Sequence, residues 1–139
     1  VGNHENYDDM STLRVDRIAH ITVLSERRKP LREIKGYQQQ RTFNVSQYVK
    51  EHIYMFGGES ITVSFKAKRS IVNQILDWFD GNVEFSDVTP DDVVCRVRVN
   101  HHAFKYWALQ YMQSVKVLSP ASLVTEVKEA IKEGLQQYS

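Results

Sequence analysis

The chain has a single cysteine, Cys95. An internal disulfide is therefore excluded, as is a zinc site built from cysteine ligands. No apolar run approaches the ~18 residues that a membrane-spanning helix needs, and nothing at the N-terminus has the pattern of a signal peptide. A cytoplasmic location is the resulting expectation. Also missing are a phosphate-cradling glycine loop, a nucleophile elbow and a His-Glu-x-x-His zinc helix. His101 and His102 are adjacent, and on a helix such neighbours point about 100° apart, which ill suits chelation of one metal. Asp87, Asp91 and Asp92 cluster around a turn without the fixed ligand spacing of a calcium loop, so they read as solvated turn formers. Cys95 and Trp107 fall on apolar faces and read as core, and His52 reads as a packed, hydrogen-bonded ring. No catalytic residue, metal ligand or cofactor is expected, and the chain does not read as an enzyme.

What is present is an ordinary globular composition. With 42% apolar and 25% charged residues, the chain is unlike disordered or membrane-spanning sequences. Its 139 residues suffice for one large or two small domains. The net charge of +1 conceals an uneven distribution. Residues Thr12 to Arg41 hold eight basic side chains against three acidic ones, whereas the first eleven residues hold three acids and no Lys or Arg. From Ser60 onward the two signs balance at nine each. A local basic excess of this kind is the electrostatic footprint of a polyanion-binding patch.

Within that basic stretch lies Thr12-Leu13-Arg14-Val15-Asp16-Arg17-Ile18, a short β-prone run. On a strand Leu13, Val15 and Arg17 share one face while Arg14, Asp16 and Ile18 share the other. A plain half-buried strand does not mix charge into both faces. Either a bend falls near Asp16, or one arginine points into a partly enclosed site. The chemistry allows a solvated Asp–Arg pair or a phosphate site, since an arginine fork suits phosphate well. Strands are expected at about 12–18 and 19–25, the second from the alternation of Ile21 and Val23 with Thr22 and Leu24. Residues 26–41 show no period, and Pro30 and Gly36 interrupt them, so a functional or flexible loop is expected.

Leu13-Arg14-Val15-Asp16-Arg17-Ile18, followed by Ile21-Thr22-Val23-Leu24, resembles the arginine-bearing strand pair of the WYL domain. The resemblance continues through Phe43, Tyr48, Met55-Phe56-Gly57-Gly58-Glu59 and Ser119-Pro120, and so covers most of the chain. The second half is similar to the C-terminal extension that usually follows a WYL domain. The Trp-Tyr-Leu triplet that names the family is absent and would lie just before Val1, so the chain is expected to begin inside the domain. The resemblance implies a partial Sm-like small β-barrel, with a linker helix, over residues 1–58. It also implies an effector-sensing role in a bacterial transcription regulator. A single-stranded nucleic acid or nucleotide-like anion would bind the barrel and alter promoter-DNA affinity through a helix-turn-helix domain not contained in this sequence. Arg14 and Arg17 match the family motif and would fork-bond phosphates. Arg27, Arg28 and Arg32 are added from charge alone, as an electrostatic rim. A homodimer is the expected assembly. A homodimerisation or protein-interaction module without a ligand is the alternative.

The remaining elements follow from period alone. Val45, Tyr48, Val49, His52, Ile53 and Phe56 form the stripe of an amphipathic helix, with Ser46 as a candidate N-cap and Gly57-Gly58 as its stop. Residues 59–139 read as β-α-β-β-α-β-α. The spacing gives strands around Ile61–Phe65, Val83–Phe85, Val93–Val99 and Val115–Val117, and helices around Ile71–Phe79, Phe104–Met112 and Leu123–Tyr138. Its first six elements are the split-βαβ, ferredoxin-like order, with an extra C-terminal helix. The whole is therefore expected to be α+β. Arg96 and Arg98 project from the strand face opposite the core, where a dimer interface or a secondary phosphate contact would fit.

Overall fold

The computed structural model describes Val1–Ser139. Near the N-terminus, Gly2–Asn3 (β1) and Met10–Ser11 (β2) pair antiparallel, Gly2 opposite Ser11 and Asn3 opposite Met10. The Asn3 amide fastens the turn between them by donating to the carbonyls of Tyr7 (2.9 Å) and Asp9 (2.8 Å). This two-stranded piece is all the sheet that forms before residue 60, so there is no closed barrel. The strands expected at 12–18 and 19–25 are not formed. Val15–Arg17 is a single 3-10 turn, and residues 18–30 hold no helix or strand. The physical reason is the want of a ladder partner. A strand is stabilised by its neighbour's hydrogen bonds and by burial of one face, and no other strand runs beside this segment.

The linker helix is shorter than its apolar stripe. Val45–Glu51 (α1) is capped by Asn44, whose Oδ1 accepts from the Gln47 amide at 3.0 Å, so Ser46 is not the cap. The helix ends at His52, well before Gly57-Gly58, and a 3-10 turn covers Ile53–Met55. Tyr54 (φ 58°) and Met55 (φ 63°) both lie in the left-handed region, a strained conformation for such side chains. Gly58 takes φ 105°, which suits glycine alone, and leads into the sheet.

The second half matches its periodicity. Ser60–Lys68 (β3), Val72–Phe79 (α2), Val83–Ser86 (β4), Asp92–Asn100 (β5), His101–Gln110 (α3), Val115–Ser119 (β6) and Ala121–Gln136 (α4) follow in the expected order. The sheet order is β4-β5-β3-β6, and every pairing is antiparallel. That is the ferredoxin-like arrangement, in which β5 returns between the two parallel arms of a βαβ unit. Asp80 (φ 40°) and Gly81 (φ 70°) stop α2, as the Asp-Gly pair suggests. The Asn100 side chain caps α3 by accepting from the Ala103 amide at 3.0 Å.

One sheet face carries the core. Val63, Phe65, Cys95, Val97 and Val99 are buried beneath Ile75 and Phe79 of α2, Phe104 and Trp107 of α3, and Leu123 of α4. Phe65 lies 5.2 Å from Phe104 and Phe79 lies 4.9 Å from Trp107, centroid to centroid, in tilted and edge-on contacts that favour aromatic pairs. Cys95 belongs to this core, and burial pushes its thiol up to about 11, away from the reactive thiolate. The other sheet face is not covered by these helices and carries the polar side chains of the alternation.

Candidate functional site

The five arginines singled out from sequence all lie exposed in the irregular N-terminal segment. Arg14 is committed to Asp16. Its Nε and Nη2 donate to the two carboxylate oxygens at 3.0 and 2.6 Å, on an exposed turn. The hydrogen bond with Arg14 lowers the Asp16 carboxyl below its ordinary value, and the same bond raises the Arg14 guanidinium. This is the solvated pair rather than an enclosed anion site. Arg17, Arg27, Arg28 and Arg32 form no ion pair and no side-chain hydrogen bond, and none of the five lines the cavity beside α1.

That cavity, of about 460 Å³, opens where α1 and the segment before it meet the N-terminal end of β3 and Arg98 of β5. Its apolar wall is an aromatic ladder. Tyr37 and Phe43 meet edge-on at 5.3 Å, Phe43 and Tyr48 are tilted at 5.3 Å, and Tyr48 stacks on His52 at 3.9 Å with 14° between the rings. The last pair is four residues apart on one helix face, the spacing at which side chains touch. His52 is nearly buried, as expected, with Nδ1 2.8 Å from the Tyr48 carbonyl and Nε2 3.0 Å from the Gly58 carbonyl. It thereby joins the end of α1 to the approach to β3. Tyr48 donates its hydroxyl to the Met10 carbonyl at 3.3 Å, which fastens β2 to the same helix.

The polar wall is acidic on balance. Glu51, with only 12% of its side chain exposed, accepts from Gln47 Nε2 at 2.7 Å and faces Arg98 Nε at 3.4 Å. Asp9 and Glu59 form no ion pair, and the one basic side chain left to answer them is Lys35. The Tyr37 phenol is pushed up to about 12, first by burial and then by Tyr48, Glu51 and Asp9. Burial likewise raises Tyr48, with a further upward push from Asp9. Gln40 and Gln47 add amides, and the buried Ser60 Oγ has no hydrogen-bond partner. Sequence reasoning passed over this site because its residues are distant in the chain. Tyr37, Phe43 and Tyr48, three aromatics within a short polar stretch, were the available signal.

The uncovered sheet face is basic. Thr62 and Ser64 lie opposite Arg98 and Arg96, and Lys66 lies opposite Lys116 on its other side. Lys68 continues the row, while Glu84, opposite Arg96, and Asp92, 3.1 Å from Lys66, are the acids of this face. Arg98 links the face to α1 through Glu51.

Elsewhere the titratable groups serve the scaffold. His101 Nε2 lies 2.9 Å from Glu126 Oε1, which joins α3 to α4, and this hydrogen bond chiefly lowers the Glu126 carboxyl. No group of three or more His, Cys, Asp or Glu side chains converges as metal ligands would. No helix is long and apolar enough to cross a membrane.

No curated protein matches this chain. The family model of the WCX domain matches residues 57–135, which takes in β3 through nearly all of α4. WCX domains are found in regulators rather than enzymes. The ferredoxin-like half and the family match cover the same residues, and the chain belongs to the WCX domain family, the C-terminal extension associated with WYL-domain transcription regulators.

Proposed function

We propose that this chain is the effector-sensing part of a WYL-type transcription regulator, and that it binds a single-stranded nucleic acid or nucleotide-like anion. Residues 1–58 would act as the sensing unit and residues 59–139 as the scaffold that carries it. The observation that carries this reading is the uncompensated charge of the exposed segment: Arg17, Arg27, Arg28 and Arg32 have no partner in the chain. Unpaired guanidinium groups in water fork-bond phosphates and release condensed counterions when they do so. Arg14 joins them by exchanging Asp16 for a phosphate, a small loss because an exposed ion pair is worth little. Lys68, Arg96 and Lys116 on the open sheet face offer a second row of cations to a ligand long enough to reach them. Binding would then change the DNA affinity of a helix-turn-helix domain in the intact regulator.

Fluorescence anisotropy of a short labelled single-stranded oligonucleotide, titrated at several salt concentrations, tests this reading. The log of the affinity should fall with log salt by roughly 0.7 per phosphate contact. Arg14→Ala with Arg17→Ala should weaken binding and flatten that slope by about 1.4, for two lost contacts. Binding that ignores both salt and the double substitution would remove the segment from the site. The alternative, a homodimerisation module without a ligand, draws on one observation. Tyr54, Met55, Phe56 and Tyr106 are exposed apolar side chains, with Phe56 and Tyr106 parallel at 5.3 Å. Sedimentation over a range of concentrations separates the two readings: a dimer that forms without salt-sensitive oligonucleotide binding favours the alternative.

A further inference from the structure

The cavity beside α1 has a character opposite to that of the arginine segment, and no role for it follows from the reading above. We propose that it is a binding site for a small organic cation, a primary ammonium or guanidinium group on a compact apolar body.

Three independent features of the cavity converge on that class. The first is the carboxylate balance. Asp9 and Glu59 are unpaired while Glu51 is already engaged by Arg98, so Lys35 is the only free cation facing them. An anion entering here would meet this excess of negative charge, and a cation would relieve it.

The second feature is the aromatic wall. Tyr37, Phe43 and Tyr48 present ring faces and edges in one continuous ladder, and a ring face attracts a cation through its quadrupole. The rings also supply the apolar lining expected of a small-molecule pocket, and about 460 Å³ lies within the usual range for one. Third, acceptors are left over. Ser60 Oγ is buried with no partner, and the Gln47 side chain uses its amide nitrogen on Glu51, which leaves its carbonyl oxygen free. A hydroxyl buried without a partner is uncommon, and the exposed Gln47 carbonyl oxygen is an acceptor to which an ammonium or guanidinium group can donate.

The site also has a mechanical consequence. Asp9 follows the turn fastened by Asn3, Tyr37 and Phe43 belong to the segment that follows the arginines, and Ser60 begins β3. A cation held among them would tie the N-terminal segment to the WCX sheet.

Calorimetry with tyramine and agmatine as probes, and adenosine monophosphate as the anionic control, tests the proposal on the full chain. NMR should monitor the side-chain amides of Gln40 and Gln47 in parallel. The cations are expected to bind and to shift those amides, while the nucleotide leaves them in place. Asp9→Asn and Phe43→Leu should each weaken cation binding about tenfold, which is the effect of some 1.4 kcal/mol. Glu59→Gln, on an exposed side chain, provides a second charge variant if the Asp9 variant is less stable. Arg14→Ala with Arg17→Ala should leave cation binding unchanged, so this site and the oligonucleotide surface succeed or fail separately. The proposal is overturned if neither cation moves the amides, if the nucleotide moves them instead, or if cation affinity is indifferent to both charge variants.

Discussion

Residues 18–25 and residues 60–68 have similar sequence patterns and opposite fates. Ile21 and Val23 alternate with polar Thr22, as Val63 and Phe65 alternate with Ser64. Yet Ile21 and Val23 are 80% and 93% exposed, while Val63 and Phe65 have no exposed surface. The difference lies outside either segment. β3 is flanked by β5 and β6 and covered by α2 and α3, so its ladder hydrogen bonds and its apolar face are both satisfied. Residues 18–25 have neither flank nor cover. Alternation states a capacity for strand formation, and a paired neighbour converts it into structure.

The comparison yields predictions of decreasing size. Phe65→Ala and Trp107→Ala should each destabilise the fold by about 3–5 kcal/mol through lost burial and a cavity, read as a shift in the urea unfolding midpoint. Val23→Ala should change the same midpoint by less than about 0.5 kcal/mol. A large effect at Val23 would mean that the segment packs in solution and would erase the contrast. Asn100→Ala comes next. Its side chain caps α3 and donates to the Gly57 carbonyl at 3.1 Å, so it secures the junction between the two regions. A loss of about 1–3 kcal/mol is expected, from a cap and a buried hydrogen bond together. Amide exchange should quicken first in α3 and around Gly57. The smallest effect concerns Glu126. Its folded-state carboxyl is lowered, chiefly by His101, so its stabilisation is present above the ordinary carboxylate value of 4.5 and fades as pH falls below it. The difference in melting temperature between the wild type and Glu126→Gln should therefore shrink on acidification through that range. A difference that stays constant would show that the His101 contact contributes nothing through charge.

The ferredoxin-like half was legible because its partners are all inside the chain and its periods are clean. Val93, Cys95, Val97 and Val99 could be assigned to the core from alternation. A solvated Asp–Arg pair was one of two readings that the chemistry at Asp16 allowed, and the structure gives it to Arg14. The strands around them were not, because pairing is a non-local property that no single segment declares. The break of α1 at His52 was hidden for a similar reason. The apolar stripe runs on through Ile53 and Phe56, but the ring of His52 sits between the Tyr48 and Gly58 carbonyls, with one nitrogen near each, at the turn that follows the helix. The cavity was the least visible feature. Asp9, Tyr37, Glu51, Ser60 and Arg98 come together only when α1 is laid against the sheet, and no spacing in sequence encodes that approach.

The proposed oligonucleotide surface is the exposed arginine segment, which holds no α-helix or strand. Amide hydrogen exchange of the whole chain, with and without a saturating single-stranded oligonucleotide at low salt, addresses that assignment directly. The expected result is new protection across residues 12–33, where binding orders backbone that has few hydrogen bonds of its own, with β3 and β5 little changed because they are protected already. Protection gained only around the sheet, or none anywhere while the oligonucleotide remains bound, would contradict the assignment of the ligand surface to these arginines.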